Sequence, residues 1–229
     1  MKILIIIPAY NEEKNIMNVI NDIDKFYPDS DKLVINDSST DNTRLVLKQN
    51  KVSFIDLPVN LGIGGGVQTG YLYAYENNYD IAIQMDGDGQ HCADELPKLI
   101  EPIQNGIANV VIGSRFINKQ GFQSSYMRRV GIIFLSRLIN FCLRVKVKDV
   151  TSGFRAVDRK FIEIFSRDYA QDYPEPEAIA VVSKSKGTIL EVPVIMKERT
   201  EGKSSIRFVN SIYYMIKVTL AILIQKIAE

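Results

Sequence analysis

Short runs of aliphatic and β-branched residues recur at residues 3–7, 32–36, 53–57, 81–85 and 109–113, each the length of a strand. Between them the apolar positions adopt helical spacing over residues 14–26, 42–49, 66–77 and 95–104. This alternation predicts an α/β fold, a mostly parallel sheet with helices on both faces. Ligands of such sheets gather beyond the carboxyl ends of the strands. Polar clusters stand at those ends, over residues 8–12, 37–41, 60–66 and 86–90.

The rhythm changes after residue 115. Residues 127–143 form a helical pattern rich in Ile, Leu and Phe that also carries arginines, and 149–155 read as a polar hinge. A helix over 175–186 and a strand over 188–194 follow. The pattern divides a domain of residues 1–205 into halves 1–115 and 116–205, with a tail at 206–229. Lys217 interrupts the apolar positions of the tail, so no run approaches the roughly 20 residues needed to cross a bilayer. An amphipathic, membrane-interfacial helix is expected there.

With 229 residues and 46% apolar content the chain can bury one substantial core. The net charge of +1 conceals an asymmetry: residues 1–101 hold 8 Lys/Arg against 16 Asp/Glu, and residues 102–229 hold 20 against 11. Between 102 and 148 no acidic residue occurs, while Arg115, Lys119, Arg128, Arg129, Arg137, Arg144, Lys146 and Lys148 all do. Cations interleaved with aliphatic residues suit an anionic membrane surface, and exposed apolar helices also suit a homodimer. No nucleic-acid-binding motif is present, so nucleic acid is not an expected partner. Cys92 and Cys142 lack disulfide or zinc-ligand patterning, which fits a reducing compartment. The apolar run at 3–7 stops at Pro8 and is too short for a signal peptide. A cytoplasmic protein, peripheral on the inner face of a membrane, is the expectation.

The sharpest chemical signal is Asp86-Gly87-Asp88-Gly89-Gln90, directly after the strand at 81–85. Two carboxylates one residue apart, with glycines allowing close approach, suit a hard divalent cation that shares phosphate oxygens. A helix-loop-helix calcium site fails, because its glycine and glutamate positions fall on His91 and Pro97. His91, the single histidine, reads as structural or supporting, since a hard cation prefers oxygen. Residues 60–66, Asn-Leu-Gly-Ile-Gly-Gly-Gly, open a helix and offer amides to a phosphate or a sugar-nucleotide. They do not complete a dinucleotide fingerprint, which needs glycine where Val67 stands. Asp37 and Asp41 divide two roles, accepting from a base or ribose and capping the next helix.

The order Pro8-Ala9-Tyr10-Asn11-Glu12, residues 36–41, residues 60–66, residues 86–90 and Gly113-Ser114-Arg115 closely resembles glycosyltransferase family two. The run Asp149-Val150-Thr151-Ser152-Gly153-Phe154-Arg155 resembles its dolichol-phosphate mannosyltransferase and bacterial polyprenyl-phosphate glycosyltransferase subgroup. The resemblance implies a glycosyltransferase A-type fold, with residues 1–115 binding a nucleotide-sugar and 116–205 binding the acceptor. It places Pro8, Tyr10, Glu12, Asp37, Gly62, Asp86, Gly87 and Asp88 on the donor, and Asp86, Asp88 and Gln90 on Mg²⁺ or Mn²⁺. It places Arg115, Ser152, Arg155, Arg199 and Lys203 near the leaving diphosphate or an acceptor phosphate, and Glu175 and Glu177 at the start of a helix facing the acceptor. Asn36 departs from the pattern, since the family commonly has two aspartates there.

The implied reaction is an inverting transfer from a UDP-, GDP- or dTDP-sugar to a polyprenyl or dolichyl phosphate. Asp88, Arg155 and Arg199 would stabilise the departing charge. A hydroxyl acceptor on a surface polysaccharide would instead need a general base, for which Glu175 and Glu177 are the candidates. A nucleotidyltransferase and a non-catalytic binding module are the rival classes.

Overall fold

The computed structural model describes residues 1–123, 125–172, 174–198 and 219. Seven strands form one sheet: β1 (Ile3–Ala9), β2 (Asp31–Asn36), β3 (Phe54–Asp56), β4 (Ile81–Gln84), β5 (Val110–Ser114), β6 (Arg155–Asp158) and β7 (Ile189–Pro193). Their order is β3-β2-β1-β4-β6-β5-β7, and every pairing is parallel except the two made by β6.

β1 shows why the sheet is central. All seven of its residues are buried, as expected for an aliphatic strand covered on both faces. Ile3, Ile5 and Ile7 join one core with α1 (Ile16–Phe26), α2 (Thr43–Gln49) and α4 (Leu96–Gln104). Leu4 and Ile6 point oppositely, into a second core with α3 (Gly62–Glu76), α5 (Tyr126–Leu143), α6 (Arg159–Arg167) and α7 (Pro174–Lys184). That second core holds an aromatic cluster, Tyr71, Phe165 and Tyr169, with ring centroids 5.1–5.3 Å apart.

Two elements differ from the sequence expectation. The hinge at 149–155 ends in β6, whose polar termini, Arg155 and Asp158, disguise a four-residue central strand. Asp158 then caps α6 by accepting the Phe161 N–H, and Phe161, Ile162 and Phe165 form the buried face. The glycine-rich segment is also helical from Gly62, not from residue 66. Gly64 is required there for close packing, because a Cβ would lie 2.1 Å from the Ala170 carbonyl oxygen and 2.3 Å from that of Gln171. The expected helix at 206–229 lies outside the described residues except for Thr219, which is helical.

Candidate active site

The strand order reverses between β1 and β4, and the candidate residues gather where these strands end. Beyond β4 the chain stays pinned to β1: Met85 N–H donates to the Ile6 carbonyl at 3.0 Å and Gly87 N–H to the Pro8 carbonyl at 3.2 Å. This delivers Asp86 and Asp88, both partly open, to the rim. Gln90 N–H donates to Asp88 Oδ1 at 3.0 Å, and Gly89 makes the turn at φ +79°. His91 is buried and supports this loop from below. Its Nδ1 accepts the Asp86 N–H at 3.0 Å, and its ring stacks on Phe154 with centroids 4.7 Å apart. The Gln90 side-chain amide is turned to the Lys197 carbonyl at 3.4 Å.

The loops that follow β1, β2 and β3 lace together through side-chain and backbone hydrogen bonds. Glu12 is buried; its carboxylate accepts from Asn15 Nδ2 at 2.7 Å, and its carbonyl accepts the first amides of α1. Asn11, at φ 58°, accepts the Thr40 N–H at 2.8 Å, while Thr43 accepts the Glu12 N–H at 2.9 Å. These two braces were not among the sequence candidates, although an asparagine is the residue type that most readily takes such a backbone. Asp37 Oδ1 accepts the Leu61 N–H at 2.7 Å; burial nevertheless raises its carboxyl above the ordinary range, outweighing the backbone bonds from Leu61 and Gly62. Pro8 lies in β1 and Tyr10 is exposed at the rim. The amides of residues 61, 62 and 64 are already bonded to Asp37, Asn60 and Gln171, so this glycine segment does not present them as a phosphate cradle.

On the other side, three residues expected to meet an anion are engaged within the fold. Arg115 forks onto Asp149, Nε to Oδ2 and Nη2 to Oδ1 at 2.7 Å each, and also reaches Thr151. Ser152 is buried and donates its hydroxyl to the Gly113 carbonyl at 2.6 Å. Arg155 is 1% exposed, its guanidinium spent on the carbonyls of Ser152 and Glu175. The sequence shows their charge and order but not the internal acceptors that occupy them. Glu175 and Glu177 occupy the first turn of α7, partly buried. Burial pushes the Glu175 carboxyl upward, with Arg155 opposing and Asp86 reinforcing that shift. Arg199 and Lys203 lie outside the described residues.

Among the described residues no group of three or more His, Cys, Asp or Glu side chains could cage a metal. Two partly open carboxylates fit a hard cation whose remaining ligands are oxygens from water or from a substrate such as a diphosphate. The sheet, with its reversal between β1 and β4 and its antiparallel β6, is that of the glycosyltransferase A fold. A family model, Glycosyl transferase family 2, matches residues 4–165, and the chain belongs to that family and is an enzyme.

The UDP-N-acetylglucosamine–dolichyl-phosphate N-acetylglucosaminyltransferase of Methanococcus voltae is 35% identical over 212 residues, covering 84% of each chain. The polyprenol monophosphomannose synthase of Mycolicibacterium smegmatis is 28% identical over 228 residues, covering 94% of this chain and 84% of its own. The structure of Mycobacterium tuberculosis glucosyl-3-phosphoglycerate synthase with UDP shares the fold at a TM-score of 0.74 and 20% identity, covering 98% of this chain and 80% of that one. The same enzyme has been solved with Mn²⁺, UDP and glucosyl-3-phosphoglycerate, at a TM-score of 0.70 and 21% identity, covering 98% of this chain and 79% of that one.

Proposed function

We propose that the chain transfers a sugar from a nucleotide-sugar to a polyprenyl or dolichyl phosphate at the inner face of a membrane. The observation that carries this reading is the Asp86–Asp88 loop, pinned to the end of β1 where the strand order reverses and beside the loops that follow β1 and β2. The Methanococcus relative, named for a dolichyl-phosphate acceptor, supports the lipid phosphate and makes a UDP-sugar the first donor to test. Residues 1–115 would serve the donor and 116–205 the acceptor.

The acceptor phosphate needs no base, since its second pKa is about 6 and it is already a dianion at neutral pH. One of its oxygens attacks the anomeric carbon opposite the diphosphate; the new C–O bond forms as the old one breaks, and a nucleoside diphosphate leaves with its charge. Asp86, Asp88 and Gln90 would hold Mg²⁺ or Mn²⁺, which neutralises charge on the leaving diphosphate when bound. Arg199 and Lys203 would add cations to the same end. Arg115, Ser152 and Arg155 would act by shaping the wall, given their internal bonds.

A cleft of about 300 Å³ lined by Phe116, Arg129, Ile133, Ser136, Arg137 and Lys148 pairs cations with apolar walls, which suits an amphiphilic anion. The neighbouring surface of α5 exposes Tyr126 (78%), Met127, Val130, Phe134 and Phe141 (79%), an apolar face flanked by Arg128, Arg129, Arg137 and Arg144. Such a face fits the headgroup region of an anionic bilayer, where each Lys or Arg near the surface contributes about 1 kcal/mol. No helix among the described residues is long and apolar enough to cross a membrane.

A glycan hydroxyl acceptor is the second reading, favoured by Glu175, whose raised carboxyl pKa suits a general base. The deciding experiment measures nucleoside diphosphate release from UDP-, GDP- and dTDP-sugars with Mg²⁺ or Mn²⁺, with and without a short polyprenyl phosphate. Release that depends on the lipid phosphate and survives both Glu175→Gln and Glu177→Gln supports the proposal. Release stimulated only by a glycan transfers support to the hydroxyl reading.

A further inference from the structure

Beyond β7 the chain continues as a short strap, residues 194–197, that joins two loops far apart in sequence. Val194 N–H donates to the Ser114 carbonyl at 3.1 Å, which prolongs the pairing of β7 with β5. Met196 then forms an antiparallel bridge with His91 on one side and a parallel bridge with Gly121 on the other. Lys197 N–H donates to the Gln90 carbonyl at 2.8 Å, and Phe122 N–H donates to the Met196 carbonyl at 2.9 Å. Gln90 N–H donates in turn to Asp88 Oδ1 at 3.0 Å, so hydrogen bonds run from a carboxylate of the Asp86–Gln90 loop through the strap to residues 121–122.

Gly121 is what lets the strap lie so close. Its backbone is left-handed at φ +69°, and a Cβ there would stand 2.5 Å from the Met196 carbonyl oxygen and 3.3 Å from the Met196 nitrogen. Met196 has little room to retreat, since it is 4% exposed and belongs to the same apolar core as Met85 and Phe154. The strap also completes the anchoring of the carboxylate loop. Gly87 N–H secures the near end of that loop to β1, and the bond from Lys197 to Gln90 secures the far end.

We propose that Gly121, with the strap residues Met196 and Lys197, is a positioning element for the Asp86–Gln90 loop, so that a turn 31 residues beyond Gln90 sets how firmly the divalent cation is held. The inference rests on the metal reading of Asp86 and Asp88 given above. Gly121 acts through the Met196–Lys197 backbone rather than by contact with the cation. Groups that orient metal ligands in this way commonly contribute about 10–100-fold in metal affinity.

Gly106 supplies the control. Its backbone is left-handed as well, at φ +67°, but a Cβ there would meet nothing within 4 Å. Asparagine tolerates such a backbone, so Gly121→Asn and Gly106→Asn differ in the close approach to Met196. Calorimetric titration of Mn²⁺ with saturating UDP, or with GDP or dTDP if the wild type prefers it, compares both with the wild type, each checked for a cooperative thermal melt. Gly121→Asn is expected to weaken Mn²⁺ binding about 10–100-fold, and Gly106→Asn to leave it unchanged. Wild-type affinity in Gly121→Asn, or an equal loss in both variants, would overturn the inference while leaving the donor site intact. Hydrogen exchange on the wild type is a second readout that stands even if Gly121→Asn does not fold. Mn²⁺ with the nucleotide should slow exchange of the Lys197 and Phe122 amides, and unchanged exchange at both would overturn the inference too. A wild type that binds Mn²⁺ with none of the three nucleotides removes the metal reading and this inference with it.

Discussion

Arg115 and Asp149 form a forked ion pair in which both carboxylate oxygens meet guanidinium nitrogens at 2.7 Å, and Asp149 has no exposed surface. Burial works against the charge of Arg115, but the surrounding carboxylates, Asp149 foremost with Asp86 and Glu175 behind it, more than offset it. The Asp149 and Lys148 amides bond in turn to Glu191, so the pair ties β5, the loop before β6 and β7 together. Removing one partner strands a buried charge. Asp149→Ala should cost about 3–5 kcal/mol in urea denaturation. A loss below about 1 kcal/mol, the range of exposed pairs, would show that water reaches Arg115 freely.

Asp88→Ala should abolish metal-dependent nucleotide binding and sugar transfer with little change in melting temperature, because Asp88 sits on a partly open loop outside both apolar cores. Calorimetry with Mn²⁺ and the preferred nucleoside diphosphate checks it; binding at wild-type strength would remove Asp88 from the donor site.

Glu175 gives a pH prediction whose sign follows from its raised pKa. The fold favours the neutral carboxyl, so the ionised form weighs against folding above the raised pKa, and stability is regained as pH falls through it toward the ordinary carboxylate value. Glu175→Gln should therefore raise the melting temperature at neutral pH, with the advantage shrinking on acidification. A melting series from about pH 5 to pH 8 measures this. A lower melting temperature for Glu175→Gln at neutral pH would mean that its attraction to Arg155 outweighs its burial.

Gly64→Ala should destabilise the protein by about 1–3 kcal/mol, since the added methyl meets backbone carbonyls that cannot rotate away. Equilibrium denaturation checks it. An unchanged midpoint would mean that the Ala170–Gln171 backbone yields easily.

Phe134→Asp and Phe141→Asp should reduce co-sedimentation with phosphatidylglycerol vesicles while sparing nucleotide binding, because both side chains project from α5 into solvent. Undiminished vesicle binding would transfer the membrane contact elsewhere on the chain.

How far the sequence was legible depends on the range of the forces involved. β1 and β4 announced themselves because aliphatic strands buried on both faces leave a local signature, and paired carboxylates after β4 are a local pattern too. α3 was read as starting late, because glycine is a poor helix former and its reason for being there, contact with residues 170–171, is distant in the chain. β6 hid because Arg155 reads as a surface residue until its carbonyl partners are known. The role of Arg115 was obscured likewise: its partner Asp149 lies 34 residues onward, and charge alone does not say whether it is already satisfied.

The antiparallel insertion of β6 also bears on how the chain acquires its fold during synthesis. β3, β2, β1 and β4 can assemble as soon as residue 84 has emerged, but β5 pairs only with β6 and β7, both later in the sequence. Until residues 155–158 arrive, an aliphatic strand waits with both edges unsatisfied, the condition most prone to pairing with a neighbouring chain. Residues 1–148 hold 16 Lys/Arg against 16 Asp/Glu, so no net charge holds copies of this waiting intermediate apart, and the arrival of β6 and β7 is what removes the exposed edges.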